Sequence, residues 1–172
     1  PVVLLTSGAE GMGSLRRLCR EVTSTSLQAQ WVIITGRNEC LRARLNAEVW
    51  PVPVQVKGFV HNMHEWMRAA DLLVTKAGPS TISEALVMGL PMVLGGALPG
   101  QERPNVDYVV RAGAGMWAPK PDQVAEVVCE LLAPGSRRLA HMAARSRTLA
   151  QPDAAYRVAE IVWGIAGGEL TQ

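Results

Sequence analysis

The chain has 172 residues, of which 48% are hydrophobic and 19% are charged, and its formal net charge is +2. This length and composition indicate one globular domain, and so small a net charge gives no reason to expect a nucleic-acid partner. Three cysteines without paired spacing suggest neither a zinc site nor a disulfide framework, and they fit a reduced, cytosolic setting.

The sequence shows neither a membrane-spanning segment nor a signal peptide. No apolar run approaches the roughly 20 residues that a membrane-spanning helix requires, and the start lacks the profile of a signal peptide. The sequence begins at Pro1 and enters an apolar run at once. We therefore expect a piece of a longer polypeptide.

Six short apolar runs alternate with helical patterns along the chain. The predicted strands are 2–5, 31–35, 52–56, 71–75, 91–95 and 115–118, and the predicted helices are 14–28, 38–48, 62–70, 81–88, 103–112, 121–132, 136–150 and 153–166. Runs that are continuously apolar suit strands covered on both faces, and strand-helix repetition calls for parallel pairing. The predicted fold class is α/β, a doubly wound Rossmann-like sheet, with extra helices after Leu132.

The loops after the first two strands carry glycine and arginine. Gly8, Gly11 and Gly13 have the spacing G-x-x-G-x-G, which lets backbone approach a phosphate or sugar but differs from the dinucleotide fingerprint G-x-G-x-x-G. Arg37 follows the second strand and could accept a 2′-phosphate, so an NADP-binding domain stays an alternative. A tight turn without a ligand is the other alternative for the first loop.

The turn after the fourth strand holds Gly78, Pro79, Ser80 and Thr81 ahead of a helical pattern. A helix that begins there presents unpaired backbone N–H groups and a positive dipole end, which suit a phosphate. Thr81 and Glu84 also fit the capping box S/T-x-x-E, which would make both residues structural. Alternatively, Glu84 accepts hydrogen bonds from the vicinal hydroxyls of a nucleotide ribose.

The loop after the fifth strand carries Gln101, Glu102 and Asn105 among three glycines. Amide and carboxylate groups in such a loop can pair with several hydroxyls of a sugar. Ordinary surface loops have a similar composition, so this pattern alone does not distinguish a sugar-binding loop from a surface loop.

Other chemistries find little support in the sequence. His61 and His64 are three residues apart and could share a helix face, but no third metal ligand stands nearby. No Asp-x-Asp pair is present to hold a divalent ion against a diphosphate, and no G-x-S-x-G elbow indicates a serine nucleophile. We expect no metal and no cofactor, so that a helix start would neutralise any diphosphate.

The segment 136–147 is rich in arginine, with Arg137, Arg138, Arg145 and Arg147. A basic helix can lie against an anionic membrane surface, although more often it is a solvated face. We keep peripheral contact with the inner face of the plasma membrane as an open expectation for a cytoplasmic protein.

Taken together, these motifs resemble the C-terminal, donor-binding domain of the GT-B glycosyltransferases, in the group that holds MurG and the monogalactosyldiacylglycerol synthases. The resemblance covers nearly the whole chain and is closest to the lipid galactosyltransferases. The motifs that carry it are GAEGMG (8–13), TGRNECLRARL (35–45), VKGFVHNMHEWMRAADLLVTKAGPSTISEAL (56–86), GLPMVLGG (89–96) and GQERPNVDYVV (100–110).

The resemblance implies where a UDP-sugar would bind. Backbone groups at Phe59 and Val60 would hold the uracil, and Glu84 would bind the ribose. The diphosphate would lie at Pro79, Ser80 and Thr81, directly after Gly78.

The sugar end of the donor is implied in the same way. Gln101 and Glu102 would bind the hexose, with Asn105 close behind. Gly11 and Gly13 would line the diphosphate and sugar from the opposite side. The first loop departs from the family pattern at Ala9, where consecutive glycines are more usual.

The resemblance also implies what lies outside residues 1–172, which we expect to be a single donor-binding domain. In the family an N-terminal domain binds the acceptor and carries the general base, so no catalytic residue is expected here. The complete enzyme would transfer galactose or glucose with inversion to a lipid, diacylglycerol, while this piece binds donor only. Alternatives are a UDP-N-acetylglucosamine transferase of peptidoglycan-precursor type and a non-catalytic nucleotide-binding domain.

Overall fold

A computed structural model of the chain describes residues 1–6, 15–25 and 27–167. Within these ranges six strands form one sheet: β1 (Val2–Thr6), β2 (Gln30–Ile34), β3 (Val54–Lys57), β4 (Leu72–Lys76), β5 (Met92–Gly96) and β6 (Gly115–Trp117). The helices of the described chain are α1 (Leu15–Thr23), α2 (Glu39–Asn46), α3 (Met63–Ala69), α4 (Pro79–Met88), α5 (Arg103–Arg111), α6 (Pro121–Leu131), α7 (Arg138–Leu149) and α8 (Ala154–Ile165).

The sheet is parallel throughout, and its strand order is β3-β2-β1-β4-β5-β6. The chain therefore winds outward in one direction from β1 to β3, returns to the centre, and winds the other way from β4 to β6. This arrangement confirms the predicted doubly wound α/β fold. Its switch point lies between β1 and β4, where ligands bind in such sheets.

The core lies on both faces of the sheet. Val3 and Leu5 of β1 pack with α1 and α6 on one face, whereas Leu4 packs with α4 and α5 on the other. All three side chains are at most 1% exposed. Since successive strand residues point to opposite faces, a strand buried on both sides must be apolar at every position. This is why the central strand β1 shows continuous hydrophobicity, whereas the edge strand β3 (VQVK) alternates.

Helix α1 ends at Thr23, earlier than the predicted end at 28. The hydroxyls of Thr23, Ser24 and Thr25 each donate a hydrogen bond to a backbone carbonyl three or four residues earlier. The bonds from Ser24 and Thr25 satisfy carbonyls of the last turn that a longer helix would have paired. A run of small hydroxyl residues therefore terminates the helix at this point.

The two helices that follow α6 in the sequence, α7 and α8, differ in how they pack. Helix α7 packs on α4, and Met142 and Ser146 are its buried residues. Helix α8 has no buried residue against the described chain. None of the described helices combines the length and the apolarity that crossing a bilayer would take.

Gly89 ends helix α4 in the left-handed conformation, with φ +66°. A β-carbon at Gly89 would also lie 2.8 Å from Cγ of Arg147. We expect Gly89→Ala to lower the free energy of unfolding by about 1–2 kcal/mol, the cost of a left-handed backbone for an L-residue, in urea denaturation. The control is Gly164→Ala in α8, where a β-carbon meets nothing within 4 Å. It should be neutral or slightly stabilising, and equal effects of the two changes would contradict the conformational argument.

Candidate functional site

The carboxyl ends of the six parallel strands meet at one edge of the sheet, and the predicted site residues follow these ends. The loops after β3, β2 and β4 carry Phe59, Arg37 and Gly78 respectively. Gly11 and Gly13 lie in 7–14, outside the described residues. The turn after β4 stands directly at the switch point of the sheet, so the fold places it where a ligand is expected.

Helix α4 begins at Pro79, two residues before the predicted start at 81. Gly78 is its N-cap, with φ −69° and ψ 132°. Proline suits the first helical position because it has no N–H and its φ is already near the helical value. The first turn of α4 therefore contains Ser80 and Thr81 as its second and third residues.

The first-turn amides of Ser80 and Thr81 have no hydrogen-bond partner among the described residues. Within the described ranges, no backbone carbonyl accepts a hydrogen bond from the N–H of Ser80 or Thr81. The carbonyl of Ala77, which could have paired with Thr81, instead accepts a bond of 2.9 Å from Nδ2 of Asn105. Two amide donors at the positive end of a helix are thus available to an anion.

The capping-box alternative for Thr81 and Glu84 is wrong. Gly78 occupies the N-cap position, so Thr81 is the third residue of the helix and Glu84 the sixth. Glu84 is exposed, and its carboxylate has no hydrogen bond or ion pair with any described residue. It lies one turn beyond Ser80 on the same helix face, where it can meet a group attached to an anion bound at the helix start.

A partly buried ion pair lies beside this turn. Glu102 is 5% exposed, and its Oε1 accepts a hydrogen bond of 2.5 Å from Nζ of Lys76. Its Oε2 accepts a bond of 2.8 Å from the N–H of Leu98. Burial by itself would raise the pKa of Glu102, but the two hydrogen bonds and the lysine charge outweigh burial and lower that pKa. Glu102 is therefore an ionised acceptor held by two donors.

Gln101 and Asn105 flank that carboxylate in the same loop. The Gln101 side chain is exposed and makes no hydrogen bond to any described residue. Asn105 is partly buried and ties the start of α5 to the turn through its bond to Ala77. The structure thus brings Asn105 and Glu102 against the α4 turn and leaves the Gln101 amide open to a ligand.

Phe59 and Arg37 meet across the neighbouring loops after β3 and β2. The guanidinium carbon of Arg37 lies 4.9 Å from the centroid of the Phe59 ring. That ring is 45% exposed and contacts the ring of His61 edge-on at 5.1 Å. The backbone N–H and C=O of Phe59 and Val60 are not bonded to any described residue. These groups could therefore pair with the edge of a base.

The two histidines do not share a helix face. His61 precedes α3, whereas His64 lies within it, 3.9 Å from the carboxylate of Glu65. In the described part of the chain no three His, Cys, Asp or Glu residues are grouped as metal ligands. The predicted histidine pair therefore has no geometric basis.

The arginine-rich segment makes contacts within the domain. Arg138 forms an ion pair with Glu130. Nε of Arg145 donates a bond of 2.8 Å to the carbonyl of Ala112, which follows the last residue of α5. Both contacts are structural, because one joins α7 to α6 and the other satisfies an orphan carbonyl at a helix end.

Lys76 is the site residue that the sequence reasoning missed. It is the last residue of β4 and immediately precedes the turn. The available signal was a single cation at the end of an otherwise apolar strand. Its partner Glu102 is 26 residues away in the sequence, so only the fold shows that the two meet.

Comparison with solved structures defines the class of protein. MurG of Acinetobacter baumannii superimposes with a TM-score of 0.81 and 21% sequence identity, over 94% of this chain and 49% of that chain. The calicheamicin glycosyltransferase CalG4 gives a TM-score of 0.66 and 21% identity, over 96% of this chain and 44% of that one. The fold is thus that of the C-terminal domain of GT-B glycosyltransferases.

The sequence comparisons then give the family. Residues 2–158 match the glycosyltransferase family 28 C-terminal domain, and the chain belongs to this family. Monogalactosyldiacylglycerol synthase 1, chloroplastic, from Arabidopsis thaliana is 39% identical over 165 residues, 92% of this chain and 31% of that protein. The probable chloroplastic synthase from Glycine max is 41% identical over the same shares. The chain spans about a third of these relatives, and the resemblance seen in its motifs is confirmed.

Proposed function

We propose that this chain is the donor-binding domain of an inverting glycosyltransferase that moves a hexose from UDP-galactose or UDP-glucose to a lipid, diacylglycerol. The observation that carries the proposal is the start of α4 at the switch point of the sheet. There, two amides that bond to no described residue stand one turn above Glu84, an exposed carboxylate that also has no described partner. A nucleoside diphosphate needs both features, since its phosphates accept hydrogen bonds and its ribose donates them.

The donor would extend along the carboxyl edge of the sheet. The uracil meets the backbone of the loop after β3, the ribose meets the α4 carboxylate, and the hexose meets the loop after β5. The residues proposed for donor binding are Gly11, Gly13, Arg37, Phe59, Val60, Gly78, Pro79, Ser80, Thr81, Glu84, Gln101, Glu102 and Asn105.

We propose that the donor site works without a metal ion. The diphosphate is neutralised by the dipole of α4 and by the amides of Ser80 and Thr81, which are fixed before the donor arrives. No Asp-x-Asp pair occurs in the sequence to hold a bridging cation. Binding of UDP should therefore be the same with a chelator as with added Mg²⁺.

The acceptor side of the reaction lies outside this chain in the proposal. A base on the acceptor hydroxyl would drive direct displacement at the anomeric carbon, with UDP leaving from the site described here. Relatives that are about 39% identical are named as synthases of monogalactosyldiacylglycerol, which supports a hexose donor and a diacylglycerol acceptor. A cytoplasmic location with peripheral contact to an anionic inner membrane face belongs to the same proposal, whereas those relatives are named chloroplastic.

A peptidoglycan-type donor, UDP-N-acetylglucosamine, is the second candidate. The structural similarity to MurG supports it, but at 21% identity that similarity concerns the fold. The N-acetyl group adds bulk beside the hexose, where Gln101 and Glu102 would lie. Affinity for this donor relative to UDP-galactose therefore separates the two candidates.

Calorimetric titration of this chain tests the proposal. UDP, UDP-galactose, UDP-glucose and UDP-N-acetylglucosamine are compared in chelator, with NADP as the control for a dinucleotide site. We expect heat with UDP and with the two hexose donors, and none with NADP. Binding of NADP without UDP would overturn the proposal, and tighter binding of the N-acetyl donor would replace the hexose donor with the second candidate.

A further inference from the structure

Lys76 places a positive charge at the start of α4. Its side chain is 28% exposed, whereas that of its partner Glu102 is only 6% exposed. The position that a β-carbon on Gly78 would occupy lies 3.3 Å from Nζ of Lys76. The ammonium group therefore borders the N-cap of α4, beside the turn whose Ser80 and Thr81 amides have no partner among the described residues.

Lys76 and Glu102 differ in the number of further hydrogen bonds that each side chain can form. A carboxylate has only acceptors, and both oxygens of Glu102 are occupied, by Lys76 and by the N–H of Leu98. An ammonium group has three N–H donors, and only one of those of Lys76 is used by a described residue. The lysine can thus take a further acceptor, while the buried glutamate is already committed to protein donors.

We propose that Lys76 is the cationic contact of the donor's diphosphate, and that Glu102 is a positioning residue that holds its ammonium beside the α4 turn. This inference rests on the proposed function and refines it, because Glu102 then acts through Lys76 and the hexose contact falls to Gln101. A helix start supplies only about half an elementary charge. A diphosphate carries more negative charge than that, so a neighbouring cation supplies what the turn lacks.

The ion pair of Lys76 and Glu102 would also stabilise UDP as a leaving group. Negative charge grows on the leaving diphosphate as the bond to the sugar breaks, and a donor already fixed in place stabilises that charge without reorganisation. Glu102 fixes Lys76 before the donor binds, and it is itself fixed by Leu98 in the loop after β5. A flexible surface lysine would have to be ordered at that moment, at a cost in side-chain entropy.

Removal of both charges tests the inference without leaving a buried charge unpaired. The double variant Lys76→Met/Glu102→Gln, the single variants and Lys76→Arg are titrated with UDP and with uridine by NMR. In the double variant we expect UDP affinity to fall at least about tenfold, the range of a charge-assisted hydrogen bond, with uridine affinity unchanged. Lys76→Arg retains the cation and should lose less UDP affinity than Lys76→Met.

Lys57 provides the matched control, since it ends β3 at the same edge of the sheet as Lys76 ends β4. Its ammonium lies over the ring of Trp66, 5.6 Å from the centroid. Lys57→Met removes an equal charge and should leave the ratio of UDP to uridine affinity unchanged. An equal fall in that ratio for both lysines would overturn the inference, because it would indicate long-range attraction rather than contact.

Glu102→Gln distinguishes positioning from direct contact with the sugar. If Glu102 only positions Lys76, Glu102→Gln should lower the affinities for UDP and for UDP-galactose by the same factor. Loss with UDP-galactose alone would show that Glu102 touches the hexose and would overturn its positioning role. Unchanged UDP affinity in the double variant would overturn the role of Lys76 while the donor site stands, whereas no UDP binding by the original chain would overturn the proposed function as well.

Discussion

Glu84→Ala is expected to weaken UDP binding by about 1.5–3 kcal/mol while leaving the free energy of unfolding nearly unchanged. The binding loss is that of hydrogen bonds to a charged acceptor. Stability should not suffer because Glu84 is not part of a helix cap and bonds to no described residue. Calorimetry with UDP and urea denaturation of the same sample measure the two quantities.

Glu126→Ala is the control for this prediction. Glu126 is likewise an exposed glutamate in a helix, α6, and it has no described partner. Its removal subtracts the same charge and should leave UDP affinity unchanged. Loss of stability in Glu84→Ala without loss of affinity would refute the ribose contact, since the residue would then serve the fold alone.

The architecture could be predicted from the sequence because burial on both faces of a parallel sheet leaves a direct mark. Each of the six strands was anticipated from a short apolar run, and the helices from the segments between these runs. The strand order needs one further rule, right-handed crossovers that keep helices on both faces. The local hydrophobic pattern agrees with the global fold in this chain, so the order of strands and helices could be predicted from the sequence.

Helix ends were predicted less well because they depend on single residues rather than on periodicity. The helical pattern of apolar residues predicted a start at Thr81, but Pro79 suits the first helical position and the helix begins there. Because of that shift of two residues, Glu84 is not part of a helix cap, and its carboxylate bonds to no described residue. A small error in a boundary thus decided between a structural and a functional explanation.

Contacts between distant residues were beyond the sequence. Nothing local indicates that Lys76 meets Glu102, that Asn105 bonds to the carbonyl of Ala77, or that Arg37 lies over Phe59. Each contact joins loops that become neighbours only when the strands align. The resemblance to a family supplied candidate residues, but the geometry separates the occupied groups from the available ones.

Leu73→Ala is expected to have the largest effect on stability, a loss of about 2–5 kcal/mol in the free energy of unfolding. Leu73 is 0% exposed in β4, one of the two central strands of the sheet, and its register partners are Leu4 and Met92. It packs in the same core cluster as Ile82 of α4. Truncation would therefore leave a cavity beneath the helix that carries the proposed site. Urea denaturation at 25 °C measures the loss.

Val49→Ala is the matched control, because Val49 is an aliphatic residue that is 99% exposed and its truncation should change stability by less than about 0.5 kcal/mol. Equal effects of the two changes would contradict the assignment of the core. A second measurement tests whether core and site are independent. Leu73 lies within the sheet and is not itself a proposed donor contact, so saturating UDP should stabilise the variant and the original chain by the same increment. A smaller increment in Leu73→Ala would mean instead that the cavity displaces the start of α4, and that the packing of this core cluster sets the geometry of the diphosphate turn.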